Sequence, residues 1–270
     1  MKGQELGLYG YDVLTEPETQ TFLELSTKSI PLEEQSQLAL VKQARPMMEM
    51  VVSYKEMRMI YTCALKEIRT KFDVLNTEFN VRYQRNPIRS VKTRLKSTSS
   101  LGDKLERQGR SFTLENIENY VNDLAGIRVI CSYVDDIYLL AETLIAQDDI
   151  TLLKRKDYIA NPKPNGYRSL HLLVSVPVFF ADRKKQVKVE VQIRTIAMDF
   201  WASLEHQIKY KKENEDDQQI VKELRECADI ISDTDARMLA LRKKIESRPH
   251  NRTEEEIILE KLSKLDTPLD

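Results

Sequence analysis

The chain has 270 residues, which is enough for one large or two small domains with an independent core. Its 42 Lys and Arg residues nearly balance its 43 Asp and Glu residues, which argues against a nucleic-acid coat protein but still allows a local basic groove. The three cysteines are far apart and form no CxxC pair, so we expect reduced thiols and no zinc site. The N-terminus lacks the apolar core of a signal peptide, and no apolar run approaches membrane-spanning length, so we expect a soluble cytoplasmic protein.

Residues 1–46 are polar and acidic and are expected to form an N-terminal extension that is helical or partly disordered. Short helices are predicted over residues 20–28 and 32–43, the second ending before Pro46 because proline disrupts a helix interior. From residue 47 to about 82, apolar side chains recur at three- and four-residue steps without Gly, which predicts a long helix. Its apolar stripe belongs either to the core or to a subunit interface.

The most basic segment of the chain follows this helix. Pro87 ends the helix, residues 88–95 predict a short strand, and Ser97 or Ser99 is expected to cap a helix that runs to Gly109. A strand end beside a helix N-terminus can form a cradle for phosphate. The side chains expected around it are Arg94, Lys96, Ser100, Lys104 and Arg107. A charge run this dense is more often a solvated helix face.

The middle of the chain alternates helices and strands. The predicted elements are a helix over 113–121, a strand after Asp123, a helix over 135–147, a strand over 150–157, a loop over 158–166 and a strand over 168–179. A turn at residues 182–185 returns the chain into a strand antiparallel to the last one. Helices are then predicted over residues 196–212 and 218–245, before a charged tail at 248–270.

The strand at residues 188–194 alternates apolar and polar side chains strictly. One face carries Val189, Val191 and Ile193. The other face carries Lys188, Glu190, Gln192 and Arg194. A polar face with charges of both signs is compatible with a solvated sheet surface as well as with a binding site.

Two other strands place similar groups near their ends. Asp123 stands just before an apolar run that Arg128 interrupts. The turn pair Asn165 and Gly166 leads into the next of these strands. The start of that strand carries Tyr167, Arg168 and His171. Such a set indicates a nucleotide site, in which carboxylates hold a hard metal ion, cations meet phosphates and the aromatic ring stacks on a base.

Several common active-site motifs are absent from the sequence, which limits the reactions to be considered. The sequence has no glycine-rich P-loop, no dinucleotide-binding glycine motif and no serine in a GxSxG elbow. Two carboxylates within a cationic rim instead favour phosphoryl or pyrophosphoryl transfer, where catalysis depends on positioning and charge neutralisation. The order of elements predicts an α/β (α+β) fold, with a mixed five-stranded sheet flanked by long N- and C-terminal helices, over residues 47–247.

Three segments, DLAGIRVI, KDYIANPKPNGYRSLHL and VEVQIRTIAMDFWASLEH, closely resemble the synthetase domain of the RelA/SpoT homologue family, and specifically its small single-domain alarmone synthetases. The resemblance covers residues 54 to about 245 and implies a nucleotidyltransferase-like synthetase domain. It also implies the reaction of a GTP diphosphokinase. This enzyme transfers the β,γ-pyrophosphate of ATP to the 3′-hydroxyl of GDP or GTP and makes ppGpp and pppGpp, the alarmones of the stringent response.

The resemblance assigns roles to residues by motif. Asp123 and Glu190 match the carboxylates that bind Mg²⁺, and Glu190 also matches the acceptor of the 3′-hydroxyl proton. Arg94 and Arg128 match the guanidinium pair that sandwiches adenine. The residues that match the ATP-phosphate site are Lys96, Ser100 and Lys104.

On the acceptor side, Tyr167 matches the aromatic residue that stacks on guanine. The residues expected to contact the phosphates and ribose of GDP or GTP are Lys156, Lys163, Arg168, His171 and Gln192. Relatives of this kind often assemble through their terminal helices, so a homotetramer is expected.

Each assignment has a structural alternative. Arg128 could form a buried ion pair with Asp123, His171 could be a core histidine, and Tyr167 could pack a turn. None of these explains why the whole set falls at the family's spacing. A degenerate nucleotide-binding regulator is disfavoured because both carboxylates and the basic set are intact.

A second activity stays open at this point. Some small family members are toxins that transfer the pyrophosphate to the 3′ end of tRNA, which would require a further basic path for the tRNA backbone. The candidates for that path are Lys154, Arg155, Lys184 and Lys185. The N-terminal extension has no matched counterpart in the shortest alarmone synthetases, which keeps this alternative and a regulatory role open.

Overall fold

The computed structural model describes residues 20–21, 37–210 and 217–247. The elements in chain order are α1 (Gln37–Tyr83), β1 (Ile88–Leu95), α2 (Thr98–Arg107), α3 (Leu114–Tyr120), β2 (Ala125–Cys131), α4 (Val134–Ile145), β3 (Thr151–Asp157), β4 (Leu170–Phe179), β5 (Lys184–Thr195), α5 (Ile196–Tyr210) and α6 (Asp217–Glu246). The charged tail at 248–270 and nearly all of the predicted helix at 20–28 lie outside the described residues.

Helix α1 confirms the long helix predicted from residue 47 to about 82, but it does not stop at Pro46. The helix includes Pro46 and begins as far back as Gln37, so the predicted break before this proline is wrong. Proline removes only one backbone N–H donor from the hydrogen bonds of the helix. The rest of this 47-residue helix continues on either side of Pro46, so the loss of one bond does not end it. Arg45 and Glu49, which flank the proline, form an ion pair of 3.1 Å across one turn.

The apolar stripe of α1 is core. Tyr54, Ile68 and Phe72 are fully buried, and the helix packs across β1, β2, β4 and β5. Helix α4 contacts β2 and β5 and contributes to the same apolar cluster. In α6 the corresponding stripe divides, because Leu224 and Ala228 are buried while Met238 and Leu241 are exposed.

The described part of the chain forms one mixed five-stranded sheet in the order β1-β2-β5-β4-β3, which confirms the predicted fold class. Strands β2 and β5 are parallel, and the other neighbouring pairs are antiparallel. Val189, Val191 and Ile193 are fully buried in the cluster that α1 and α4 complete. Lys188, Glu190 and Gln192 therefore face the opposite side of the sheet, where they are only partly covered, whereas Arg194 in the same row is buried.

Local signals account for several of the element ends. Ser97 caps α2, since its hydroxyl accepts a hydrogen bond from the Ser100 amide at 3.3 Å. The helix ends at Arg107, two residues before the expected Gly109, which follows in a left-handed conformation with φ +67°. Thr113 caps α3 in the same way as Ser97 caps α2. No helix within the described ranges is long and apolar enough to cross a bilayer.

Candidate active site

The partly covered face of the sheet brings together polar residues from four strands. On β1 and β2, Arg94 lies opposite Gly126, and Lys92 lies opposite Arg128. The parallel pairing of β2 with β5 then places Gly126 beside Glu190 and Arg128 beside Gln192. Strand β4 adds His171, which is the partner of Gln192. Residues paired across strands project from the same face, so residues distant in the sequence share one surface.

Asp123 precedes β2 and is held by two lysines. Lys96 Nζ lies 3.0 Å from Asp123 Oδ2, and Lys104 Nζ lies 2.6 Å from Asp123 Oδ1. The backbone of Lys96 is fixed in turn, because its amide donates to the Leu124 carbonyl and its carbonyl accepts from Arg58. Burial acts to raise the pKa of Asp123, but the hydrogen bonds from both lysines bring that pKa below its ordinary value. Asp123 is therefore anionic at neutral pH.

Glu190 is the second carboxylate of the site. Its Oε2 accepts a hydrogen bond from Gln192 Nε2 at 3.0 Å, and its Oε1 lies 3.4 Å from His171 Nδ1. Burial and the negative charge of Asp123 act to raise the pKa of Glu190, whereas His171 and Gln192 lower it below its ordinary value. The two carboxylates are thus near enough to interact, and both are ionised at neutral pH.

Two cavities meet at this carboxylate pair. One, which we name the Tyr167 cavity, has a volume of about 660 Å³. Its lining is Asp123, Lys163, Asn165, Tyr167, His171, Glu190, Gln192, Glu205 and His206. The other, the Arg94 cavity, has a volume of about 400 Å³. Its lining is Lys92, Arg94, Asp123, Gly126, Ile127, Arg128, Glu190 and Gln192. Both carboxylates therefore line both cavities, an arrangement suited to a reaction between two bound molecules.

The Arg94 cavity contains both arginines assigned to adenine stacking. Arg128 Nη1 lies 3.2 Å from Asp199 Oδ1, so its ion-pair partner is Asp199 and the suggested pair with Asp123 is wrong. The positive charge of Arg94 also lowers the pKa of Arg128, after the larger effects of burial and of Arg194, which indicates that these cations lie close together. A cluster of guanidinium groups beside a cavity is suited to an anionic ligand with a planar base.

The Tyr167 cavity has an aromatic wall with a fixed orientation. The Tyr167 hydroxyl lies 2.8 Å from His171 Nε2 and accepts a hydrogen bond from Arg194 Nη2 at 2.6 Å. Lys163 Nζ lies 4.7 Å from the centre of the Tyr167 ring. The ring also packs on the apolar cluster formed by α5 and α6, which includes Trp201. Tyr167 is therefore held in place by its surroundings and does more than pack a turn.

Sequence comparisons agree with this geometry. A family model described as a region found in RelA / SpoT proteins matches residues 93–215. The GTP pyrophosphokinase YwaC of Bacillus subtilis (strain 168) is 44% identical over 193 residues, which cover 72% of this chain and 92% of that protein. The chain belongs to the RelA/SpoT family. A second relative, the GTP pyrophosphokinase YjbM of the same organism, is 36% identical over 186 residues, covering 69% of this chain and 87% of that protein.

Solved structures place this RelA/SpoT member among the small alarmone synthetases. The small alarmone synthetase 2 of Bacillus subtilis is 44% identical, with a TM-score of 0.64, and the match covers 71% of this chain and 98% of that one. The small alarmone synthetase 1 of Bacillus subtilis, bound to its product pppGpp, is 33% identical, with a TM-score of 0.65. That match covers 72% of this chain and 99% of the other.

Two residues assigned to the acceptor side of this RelA/SpoT member do not line the cavities. Arg168 turns towards α6, where Nη2 lies 2.9 Å from Asp229 Oδ1 and Nη1 donates to the Ala228 carbonyl at 2.9 Å. Lys156 pairs with His171 across β3 and β4, but it is exposed and lies outside the cavity lining. Arg168 therefore anchors the turn that carries Tyr167, whereas Lys156 stays at the rim of the same sheet face.

The structure also adds residues that sequence reasoning did not assign. Asp199 on α5 bridges Arg128 and Arg194, with both Nη1 to Oδ1 distances at 3.2 Å. Glu205 and His206 line the Tyr167 cavity, and Glu205 accepts a hydrogen bond from Asn165 at 3.0 Å. Asp199, Glu205 and His206 fall in the segment VEVQIRTIAMDFWASLEH. The resemblance of this segment to the family extends past the strand, and it was the signal that could have identified these three residues.

Proposed function

We propose that this RelA/SpoT member is a GTP diphosphokinase that transfers the β,γ-pyrophosphate of ATP to the 3′-hydroxyl of GDP or GTP. The observation that carries the proposal is the meeting of two cavities at Asp123 and Glu190. Relatives named GTP pyrophosphokinases support the reaction. Solved structures of a small alarmone synthetase bound to pppGpp, and of the same enzyme bound to AMPCPP, support the pairing of an alarmone with an ATP-like ligand.

On the donor side, the Arg94 cavity is suited to ATP. The guanidinium planes of Arg94 and Arg128 would stack on adenine, a contact that lysine cannot make. Lys96 and Lys104 already stand at the carboxylate that both cavities share. Their ammonium groups would divide their contacts between Asp123 and the ATP phosphates. Ser100, in the first turn of α2, would add a hydroxyl at the positive end of a helix.

On the acceptor side, Tyr167 would stack on guanine while Lys163, His171 and Gln192 face the ribose and phosphates. The 3′-oxygen attacks the β-phosphorus of ATP, the bond from that phosphorus to the α,β-bridging oxygen breaks, and AMP leaves. Glu190 accepts the 3′-hydroxyl proton, a role that requires the ionised carboxylate that its lowered pKa provides. The cations around Asp123 offset the charge on the transferring group.

The donor set is also suited to Mg²⁺. No group of three or more His, Cys, Asp and Glu side chains able to hold a metal occurs in the described ranges. Mg²⁺, however, is commonly bound by one or two carboxylates together with substrate phosphates. Asp123 and Glu190, both ionised, fit that pattern and would hold the ion. When bound, it would neutralise charge on the transferred pyrophosphoryl group.

The proposal includes a cytoplasmic homo-oligomer, in particular a tetramer. Large apolar side chains remain exposed on the terminal helices α1 and α6 of the single chain. They are Val52, Val74, Val81, Ile230, Leu241 and Ile245. Apolar helix faces of this kind support association between copies, and light scattering of the purified protein would give the oligomeric mass.

The residues considered for a tRNA path are dispersed. Arg155 forms an ion pair with Glu142 on α4. Lys184 and Lys185 pair with the last residues of β4, at the end of the hairpin away from His171 and Gln192. Lys185 is in addition paired with Glu118 at 2.7 Å. Lys154 lies opposite Leu173, the strand partner of Glu190, so it is the one candidate in line with the site. The four groups therefore do not form one basic track leading to the carboxylates, and the alarmone reaction is the function that the geometry supports best.

The test uses purified protein, ATP labelled at the γ-phosphate, and GDP, GTP and deacylated tRNA as competing acceptors, with and without Mg²⁺. We expect label in a guanosine product, only when Mg²⁺ is present. Asp123→Ala and Glu190→Ala should abolish transfer while the proteins stay folded, and Asp182→Ala, at an exposed turn far from the cavities, is the matched control. Label on tRNA alone would overturn the proposed acceptor, and substantial transfer by a folded carboxylate variant would overturn the assigned roles.

A further inference from the structure

One buried guanidinium stands behind the acceptor side of the site. Arg194 is 4% exposed, and its Nη2 donates to the Tyr167 hydroxyl at 2.6 Å and to Gln192 Oε1 at 3.0 Å. Its Nη1 bonds Asp199 at 3.2 Å, and its Nε bonds the Ser169 hydroxyl at 3.4 Å. Every nitrogen of the guanidinium therefore has an acceptor, so the group is fixed in orientation.

The first hydrogen-bond chain runs from Arg194 through Tyr167. A guanidinium can only donate, so the Tyr167 oxygen accepts and its single proton is free to point to His171 Nε2 at 2.8 Å. When the hydroxyl donates to that nitrogen, Nε2 is the acceptor of the imidazole ring. The ring proton of His171 consequently lies on Nδ1, which faces Glu190 Oε1 at 3.4 Å.

The second chain runs from Arg194 through Gln192. Because Arg194 donates to Gln192 Oε1, the amide nitrogen of Gln192 is turned towards Glu190 and donates to its Oε2 at 3.0 Å. Both chains thus begin at the same guanidinium nitrogen and end on the two oxygens of one carboxylate. Each delivers a proton donor to its end.

We propose that Arg194 is a positioning residue that sets the direction of both hydrogen-bond chains and so holds the Glu190 carboxylate in one orientation between the two cavities. This role rests on the proposed function, in which Glu190 accepts the 3′-hydroxyl proton. Without Arg194, the Tyr167 hydroxyl can turn to donate elsewhere and the Gln192 amide can invert. Either change would present a lone pair, instead of an N–H, to an oxygen of Glu190.

The first test reads the protonation site of His171 directly and does not depend on activity. The chain has three histidines, so ¹⁵N-histidine labelling gives few signals, and a His171→Gln variant assigns the relevant one. At neutral pH we expect the proton on Nδ1 and a bare Nε2 in the wild-type protein. In Tyr167→Phe this preference should be lost, because Nε2 no longer has its donor.

The matched control for this spectrum is Tyr83→Phe, which removes the hydroxyl of an exposed residue at the end of α1, outside the lining of both cavities. It should leave the His171 signals unchanged. A wild-type ring protonated at Nε2 would overturn the proposal, and so would a Tyr167→Phe spectrum identical to that of the wild type.

The second test uses the split between kcat and KM. Tyr167→Phe keeps the stacking ring, so we expect kcat to fall about 10-fold with little change in KM for GDP. Gln192→Met should act in the same way through the other chain. Arg194→Met interrupts both chains, and we expect a loss in kcat of about 100-fold.

Coupling distinguishes a positioning chain from independent structural damage. In the Arg194→Met background, adding Tyr167→Phe should cost little more, because the first chain is already broken. If the losses in kcat from the two substitutions multiply fully in the double variant, the two residues act independently and the hydrogen-bond chain through Tyr167 is refuted. If the wild-type protein shows the expected tautomer but makes no alarmone, the proposed function fails while the hydrogen-bond chains stand.

Discussion

The turn that carries Tyr167 depends on a glycine pressed against a helix. Gly166 has φ +88° and backs onto α6. A Cβ added there would lie 2.4 Å from Ala228 Cβ and 3.2 Å from the Arg225 Cα. Gly166→Ala therefore imposes both backbone strain and a collision on the element that positions the aromatic wall of the Tyr167 cavity.

The expected loss of folding stability in Gly166→Ala follows from the backbone strain and the collision. A left-handed backbone conformation costs a non-glycine residue about 1–2 kcal/mol. Overpacking a tightly filled contact costs a further 1–3 kcal/mol or so. Gly109 supplies the matched control, since it also has a positive φ, of +67°, but nothing lies within 4 Å of an added Cβ. Gly109→Ala should lose only the stability that the backbone strain costs. Gly166→Ala should therefore be less stable than Gly109→Ala by the overpacking cost of about 1–3 kcal/mol.

The assay is urea unfolding of both variants together with steady-state kinetics. Because Tyr167 follows Gly166 directly, we expect Gly166→Ala to raise KM for GDP while KM for ATP changes little. Adding Ala228→Gly to the Gly166→Ala variant removes the collision with Ala228 Cβ and should restore part of the lost stability. The gain is reduced by about 1 kcal/mol, the cost of a glycine within a helix. Equal destabilisation by Gly109→Ala and Gly166→Ala would refute the packing argument, as would an unchanged KM for GDP.

Two further outcomes are expected. Tyr167→Ala should raise KM for GDP far more than KM for ATP, because aromatic stacking on a base contributes about 1–3 kcal/mol, and equal effects on both would refute the stacking role. Asp123→Asn should be less stable than the wild type in urea at neutral pH. Because the pKa of Asp123 is lowered in the folded protein, the difference in free energy of unfolding between wild type and variant should begin to shrink below the ordinary pKa of 3.8 and vanish below the folded pKa. A difference that does not change with pH would contradict the pairing of Asp123 with the lysines.

Much of the fold was predictable from periodicity and local signals. The strict alternation around Val189 and Val191 predicted a strand with one buried face, and both residues are fully buried. Ser97 was expected to cap a helix and does so. Such features depend on neighbours in the sequence, which is why they can be read without the fold. The break expected at Pro46 was wrong because that local rule does not count the remaining bonds of a long helix.

The candidate site was predicted in its residue types but not in all of its contacts. Asp123, Arg128 and Glu190 lie together as the motifs implied, since strand pairing brings them to one face. Arg168 was assigned to the acceptor, yet its side chain bonds Asp229, 61 residues further along the chain. A motif identifies an arginine at a strand start, but it does not show in which direction the guanidinium points.

The sequence by itself determined most of the strands and helices, the polar face of β5 and the membership of the RelA/SpoT family, because period, caps and motifs are local properties. Only the tertiary structure decided that Arg194 serves two hydrogen-bond chains and that Asp199 joins it to Arg128. These arrangements depend on which groups meet when α5 and α6 pack beside the sheet. Burial then requires each polar group to find a partner, and the partner available is set by the fold.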